Sequence, residues 1–524
     1  MNAKRLICLF AFLFMALFSA CAPASAPTQA PQPIAVEPQK PRQEQEIPAA
    51  EAPRPAAEPT YAAAEPEMPF SPPDNQFKDY GVNPETDAGY DQLSTFALDV
   101  DTASYTVARR YINEGSLPPY DAVRAEEFVN FFDQGYAAPR DSAFTIYADG
   151  APAPQGYEPG SLVLRFGIQG YRVESFERKP SALTFVIDTS GSMDMENRLG
   201  LVKRSLRLLV EQLDERDSVA IVIYGDSARA VLKPTNASRK GVILDAIDSL
   251  YPGGSTNAEA GIKLGYRYAE AAFVEGANNR VILCSDGVAN VGITTPGGIL
   301  EQVQDYVASG ITLTTIGVGM GNFNDTLLEQ LADNGDGFYA YVDTIDEARK
   351  VFVEDLTSTL QVIARDAKVQ VDFNPEVVES YRLVGYENRA VADRDFRNDE
   401  VDAGELGAGH TATAIYVVRL RPGSEGRLAT VQLRWQDPDS GAVKEINGNF
   451  NTWDASEHFE DTDPHYQLAV TVAQFAETLR ESPYTYDLSL SELASRARRI
   501  ARQLPEDEQA AEFAQLALQA AELR

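Results

Sequence analysis

The chain has 524 residues, with 45 Lys+Arg against 78 Asp+Glu and a formal net charge of −33. Neutralising phosphates takes clustered cations, so this balance argues against a nucleic-acid binder and against unassisted docking on an anionic bilayer. A hydrophobic share of 44% and a charged share of 23% are those of a globular protein, so the acidity is a bias of sign and a core can be buried.

Residues 1–21 read as an address. Lys4 and Arg5 precede an apolar run from Leu6 to Phe18, the pattern of a secretory signal and too short for a spanning helix. Phe18-Ser19-Ala20-Cys21 resembles a bacterial lipobox, in which Cys21 becomes the acylated first residue, although Phe18 stands where that motif has an aliphatic side chain. Lipidation implies an exported cell-envelope protein held on a membrane by acyl chains; the alternative is an ordinary signal or an uncleaved anchor. With Cys8 removed and Cys21 lipidated, Cys284 is the remaining thiol, no intramolecular disulfide can form, and Val281-Ile282-Leu283 before it reads as a buried strand. Residues 22–75 hold 14 of the 31 prolines among Ala, Glu and Gln and read as a disordered tether, since they cannot bury enough apolar area to offset their entropy.

In the region 76–177, Asp101 is placed to cap a helix ending near Gly115, which is preferred over metal ligation by Asp99-Val100-Asp101-Thr102-Ala103-Ser104. Residues 143–148 and 161–168 have strand periodicity.

From 178 to 363, short apolar runs alternate with long amphipathic stretches. Strands are expected at 183–188, 218–224 with 229–234 beside it, 280–284, 311–316 and 338–342. Between them, Leu199, Val202, Leu206, Leu209 and Leu213 recur at helical spacing, Ser238 is placed to cap a helix to 250, and Asn257 to open another to 273. A helix is expected at 295–309, one capped by Asp325 to 332, and a long final one at 345–363 with Phe352, Leu356, Leu360 and Ile363 on one face. Such alternation is α/β, a Rossmann-like, mainly parallel sheet covered by helices on both faces, whose ligands bind beyond the carboxyl ends of the strands. The glycines of Gly317-Val318-Gly319-Met320-Gly321-Asn322 read as a turn at that rim, because Asn322 stands where a dinucleotide fingerprint needs its third Gly.

Three loops at those ends are rich in oxygen. Asp188-Thr189-Ser190-Gly191-Ser192 follows the first strand, Gly253-Gly254-Ser255-Thr256-Asn257 opens a helix, and Cys284-Ser285-Asp286-Gly287 closes a later strand. Hydroxyl and carboxylate oxygens, without imidazole or thiolate, suit a hard cation such as Mg²⁺. Few carboxylates leave that cation positive charge with which to accept an external carboxylate. The bland alternative is that Asp188 and Ser190 only cap the next helix.

This constellation resembles the metal-ion-dependent adhesion site of von Willebrand factor type A (VWA) domains, over about residues 178–363. The resemblance implies Ser190, Ser192 and Thr256 as hydroxyl ligands, Asp188 and Asp286 as ligands directly or through water, and Mg²⁺ or Mn²⁺ as the ion. Residues 95–105, 108–115 and 122–132, with 465–481 and Ser482-Pro483-Tyr484, are similar to bacterial YfbK-type VWA proteins, which implies an envelope protein. The family resemblance also implies that the final helix can slide when the site is occupied.

After the α/β unit, residues 368–373, 381–386, 411–420 and 430–436 have strand periodicity, and 464–480, 488–503 and 507–523 are helical. The region 364–524 and the strands before 178 then suggest a β-sandwich into which the metal domain is inserted. Phe513, Leu516, Ala520 and Leu523 form an apolar stripe that suits core packing. The chain has no H-E-x-x-H, no G-x-x-x-x-G-K-[ST] and no G-x-S-x-G, so the expected function is non-enzymatic binding of a protein partner that presents an Asp or Glu carboxylate. An envelope scaffold with a vestigial metal site and a metal-assisted hydrolase are the alternatives.

Overall fold

The computed structural model describes residues 75–174, 176–287, 304, 306–320, 323–355, 360–401, 403–485 and 487–524. The signal, Cys21 and nearly all of the tether lie outside the described residues, as does most of the helix expected at 295–309. Among the described residues, no helix is long and apolar enough to cross a membrane.

Strands β1 (Thr86–Asp87) and β2 (Leu93–Ala97) lead into helices α1 (Ala103–Asn113) and α2 (Ala125–Asn130), then into β3 (Phe144–Pro152) and β4 (Leu162–Gly170). The α/β unit follows with β5 (Ser181–Asp188), α3 (Arg198–Gln212), β6 (Ser218–Tyr224), β7 (Arg229–Asn236), α4 (Lys240–Asp248) and α5 (Ala258–Ala271). It continues with β8 (Asn278–Ser285), β9 (Ile311–Gly317), α6 (Asp325–Asp333), β10 (Tyr339–Tyr341) and α7 (Ile345–Arg349). The chain then forms β11 (Val362–Phe373), β12 (Val378–Val384), β13 (Gly404–Gly407), β14 (Thr411–Leu420), β15 (Arg427–Gln436) and β16 (Val443–Asn451). Helices α8 (Pro464–Leu479), α9 (Leu490–Ala501) and α10 (Glu508–Leu523) close it.

The α/β sheet has the order β10-β9-β8-β5-β6-β7 and is parallel except for its edge strand β7. Every residue of the central strand β5 is buried, as a sheet covered on both faces requires. Its alternate side chains feed two cores: Leu183, Phe185 and Ile187 join Leu206 and Leu209 of α3, while Val186 joins Ile262 and Tyr266 of α5. Helix α5 comes close because glycine faces the sheet; a Cβ on Gly265 would lie 2.2 Å from Val186 Cγ2. The chain leaves β5 for β6 on one side and returns as β8 on the other, which places a crevice at the carboxyl end of β5.

Two antiparallel sheets flank this unit. One has the order β1-β12-β14-β4-β3, the other β13-β11-β15-β16 with β2 also on β11. Strand β4, from before the α/β unit, pairs with β14, from after it, in a register running from Gln169 opposite Thr411 to Leu162 opposite Val418. The sandwich therefore closes only around the inserted unit. Its core holds Phe166, Phe373, Tyr416 and Trp435. Helices α1, α2 and α8 to α10 form a further layer around Tyr105, Phe128, Phe132, Phe475 and Phe513. Phe513, Leu516 and Ala520 are buried as the stripe implies, whereas Leu523, at the last turn, is exposed.

Several local expectations differ from the structure. The final helix does not run from 345 to 363: α7 passes into a π-helical turn, Lys350–Glu354, and Val362 already opens β11. Phe352 and Leu360 pack in the α/β core but Ile363 packs in the sandwich, so no single helical face joins them. Asn324, not Asp325, caps α6 by accepting the Leu327 amide at 3.0 Å, because Asp325 is turned inward to Arg124 and Tyr339. Asn236 accepts the Ser238 amide at 3.0 Å, so Ser238 lies within a 3₁₀ turn and α4 starts at Lys240. Asp101 is no cap either. Its carboxylate accepts the Tyr339 amide at 3.0 Å, and the Ser104 amide of α1 is held by Glu127 at 2.7 Å.

Candidate metal centre

The three oxygen-rich loops meet at the crevice beyond β5. Asp188 ends the buried strand and is itself fully buried, and its orientation is set from two sides. The Ser190 amide donates to Oδ1 at 2.8 Å and the Ser285 hydroxyl donates to Oδ2 at 3.1 Å. Burial first, and then the neighbouring Asp286 carboxylate, push Asp188 up to about 7. With a second carboxylate beside it, Asp188 resists ionising unless a cation joins the two side chains.

Backbone bonds bring the second loop in. The Gly253 amide donates to the Thr189 carbonyl at 2.6 Å and the Gly191 amide to the Gly254 carbonyl at 3.0 Å. The Asn257 amide bonds the Gly225 carbonyl at 3.1 Å while its side chain caps α5, so buried Thr256 is delivered between two fixed points. Ser190 Oγ and Ser192 Oγ stand 3.0 Å apart. In the third loop, Gly287 has φ +88 and a Cβ there would lie 2.6 Å from the Asn324 amide nitrogen, so only glycine lets the chain turn away behind Asp286.

Asp286 is completely buried and its two oxygens differ. Oδ2 accepts Arg198 Nη1 at 3.0 Å, and among the described residues Oδ1 has no hydrogen-bond partner. A buried carboxylate oxygen left bare costs free energy unless something positive meets it. Hydroxyl and carboxylate donors with one orphaned oxygen fit a hard divalent cation. Residues Asp188, Ser190, Ser192, Thr256 and Asp286 would hold it, and it would supply Lewis acidity toward an external carboxylate.

Three groups were missed from the sequence. Ser285 lay inside a quoted motif without a role, yet it links Asp188 to the Gly287 amide. Arg198, the first residue of α3, carries no motif signal, yet it is buried and reaches the Met320 carbonyl as well as Asp286. A Cβ on Gly319 would strike Arg198, so the Gly317–Met320 turn closes over that guanidinium. Asp226, at the rim, accepts both the amide and the hydroxyl of Ser255 at 2.8 Å, bonds that hold its carboxyl below the usual range. Cys284 is buried in β8, where desolvation pushes its thiol up to about 12.

Residues 182–373 match the von Willebrand factor type A domain, residues 71–163 match a family described as von Willebrand factor, and residues 358–523 match the C-terminal region of the uncharacterized protein YfbK. The YfbK protein of Escherichia coli (strain K12) is 40% identical over 377 residues, which cover 70% of this chain and 64% of that protein's length. The uncharacterized protein sll0103 of Synechocystis is 27% identical over 53% of this chain and 67% of its own. A solved von Willebrand factor type A structure from Catenulispora acidiphila aligns over 62% of this chain and 78% of its own, with 15% identity and a TM-score of 0.38. The chain thus carries a von Willebrand factor type A domain followed by a YfbK-type C-terminal region, and over most of its length it is similar to YfbK.

Proposed function

We propose that this protein is a non-enzymatic, metal-dependent binding protein of the cell envelope, anchored by a lipidated Cys21. In this reading Asp188, Ser190, Ser192, Thr256 and Asp286 hold Mg²⁺ or Mn²⁺, and the ion captures an Asp or Glu carboxylate of a partner protein. The observation that carries it is the Asp286 Oδ1 atom, buried without a partner among the described residues, beside an Asp188 that burial and charge have pushed up to about 7. A divalent ion relieves both conditions at once, and two carboxylates leave it short of anionic ligands. Titration calorimetry with Mg²⁺ tests the site: the wild-type chain binds and Asp188→Ala does not. A Mg²⁺-dependent pull-down from envelope extract, run beside Asp188→Ala, tests capture; bands that ignore both metal and Asp188 refute it. For the anchor, a Cys21→Ser chain leaves the membrane fraction.

The Arg198–Asp286 pair favours a second reading, an envelope scaffold whose metal site is vestigial, because a guanidinium already offsets one of the two carboxylates. In that case neither Mg²⁺ nor Mn²⁺ changes the melting temperature.

A further inference from the structure

A second group of carboxylates lies where helices α1 and α2, the α/β unit and the sandwich meet. Asp99 follows β2, and Glu126 and Glu127 open α2. One carboxylate oxygen from each of these three lies within 4.8 Å of the other two, and all three residues are buried. Their surroundings are short of positive charge. Asp99, Asp101, Glu126, Glu127, Asp325 and Glu329 are buried together, and among the described residues the cations within ion-pair reach of them are Arg124 and Arg389.

Two of the three are already oriented. Asp99 accepts the Asp101 amide at 2.8 Å and Arg389 Nε at 3.0 Å, and Glu127 accepts the Ser104 amide at 2.7 Å and Arg124 Nε. Each carboxylate oxygen keeps a second lone pair, so these bonds aim the groups without exhausting them. Glu126 is different. It is 1% exposed, and among the described residues its carboxylate meets no side-chain donor and no cation within ion-pair distance, while the main-chain amides of Glu126 and Tyr386 face it without closing a hydrogen bond. Gly385, at φ +84, makes room for it: a Cβ there would lie 2.4 Å from Glu126 Oε2. A buried carboxylate with neither a closed hydrogen bond nor a cation is costly unless positive charge reaches it.

We propose that Asp99, Glu126 and Glu127 bind a second hard divalent cation, of the calcium class, at the junction of the three units. Oxygen-only donors exclude the softer metals. Mg²⁺ keeps several waters and demands octahedral geometry, whereas Ca²⁺ accepts six to eight oxygens from mono- or bidentate carboxylates, which suits a buried group of three acids. The site is independent of Asp188 and Asp286. Its ion fastens α2 to the end of β2, while Arg389 extends the same charge network to α6 through Asp333 at 2.8 Å. Calcium would thereby set how the VWA domain is held against the sandwich.

The test is native mass spectrometry of the full chain with Ca²⁺ alone, in an Asp188→Ala background that removes the first site. One bound Ca²⁺ per chain is expected there, and none in Asp188→Ala with Glu126→Gln. A background chain that binds no Ca²⁺, or a double variant that binds as much as the background, overturns the proposal. Hydrogen exchange on the Asp188→Ala chain alone guards against a misfolded double variant. Ca²⁺ is expected to slow exchange at 125–130 and 387–389, and unchanged rates there also overturn it. The proposed capture function stands or falls separately, on Mg²⁺ binding that Asp188→Ala abolishes.

Discussion

Arg198 Nη1 donates to Asp286 Oδ2 at 3.0 Å, and both side chains are buried. This pair places a fixed positive charge beside the oxygens proposed to receive a divalent cation. Arg198 holds the Asp286 carboxylate turned, and it also repels the incoming ion. Arg198→Met is therefore expected to lower the melting temperature in EDTA, because a buried carboxylate loses its partner. In the same variant the rise on adding Mg²⁺ is expected to exceed that of the wild type. Equal rises in the two chains would refute the competition between guanidinium and metal.

The base of the central strand depends on Asp217. Its carboxylate accepts Arg178 at 2.7 Å, the Ser181 amide at 2.8 Å and the Asp214 amide at 2.9 Å, all at the crossing from sandwich to α/β unit. Asp217→Ala leaves a buried guanidinium uncompensated and is expected to cost about 3–5 kcal/mol in urea unfolding.

Two helix glycines are expected to respond with opposite signs. Gly265→Ala forces a methyl toward Val186 Cγ2, 2.2 Å away, and should cost about 1–3 kcal/mol by overpacking. Gly241→Ala in α4 meets nothing within 4 Å and should stabilise by up to about 1 kcal/mol through helix propensity. Denaturant midpoints of the two variants check both signs.

His465 supplies a pH dependence. Asp463 Oδ1 accepts its main-chain amide at 2.8 Å and lies 2.9 Å from ring Nδ1, and that side-chain bond raises His465 above its ordinary value. A raised histidine contributes stability that is complete below its unfolded value, about 6.5, and is lost as pH rises through the folded one. The melting-temperature advantage of wild type over His465→Gln should accordingly be larger at pH 5.5 than at pH 9.

Much of the α/β unit was legible in the sequence because its signals are local. A buried strand such as Ser181–Asp188 is a continuous apolar run, and α3 shows its 3,4 spacing whatever it packs against. The five candidate ligands were legible for the same reason, since each loop carries its oxygens within a few residues. Strands β13 and β16 were not legible: Val443–Asn451 is mostly polar and half-exposed, so its pairing with β15 leaves little periodicity to read.

What the sequence determined by itself was therefore the strand and helix periodicity of the inserted unit, the hydroxyl and carboxylate chemistry of its loops, and the family resemblance. The tertiary structure decided where charges find partners. Arg198 meets Asp286 from 88 positions away, and Arg124 draws Asp325 off its cap from 201. It also assembled Asp99, Glu126 and Glu127 into one buried group from a strand end and a short helix. An ionic partner is chosen by proximity in a low-dielectric interior, and the force depends on distance through space rather than along the chain.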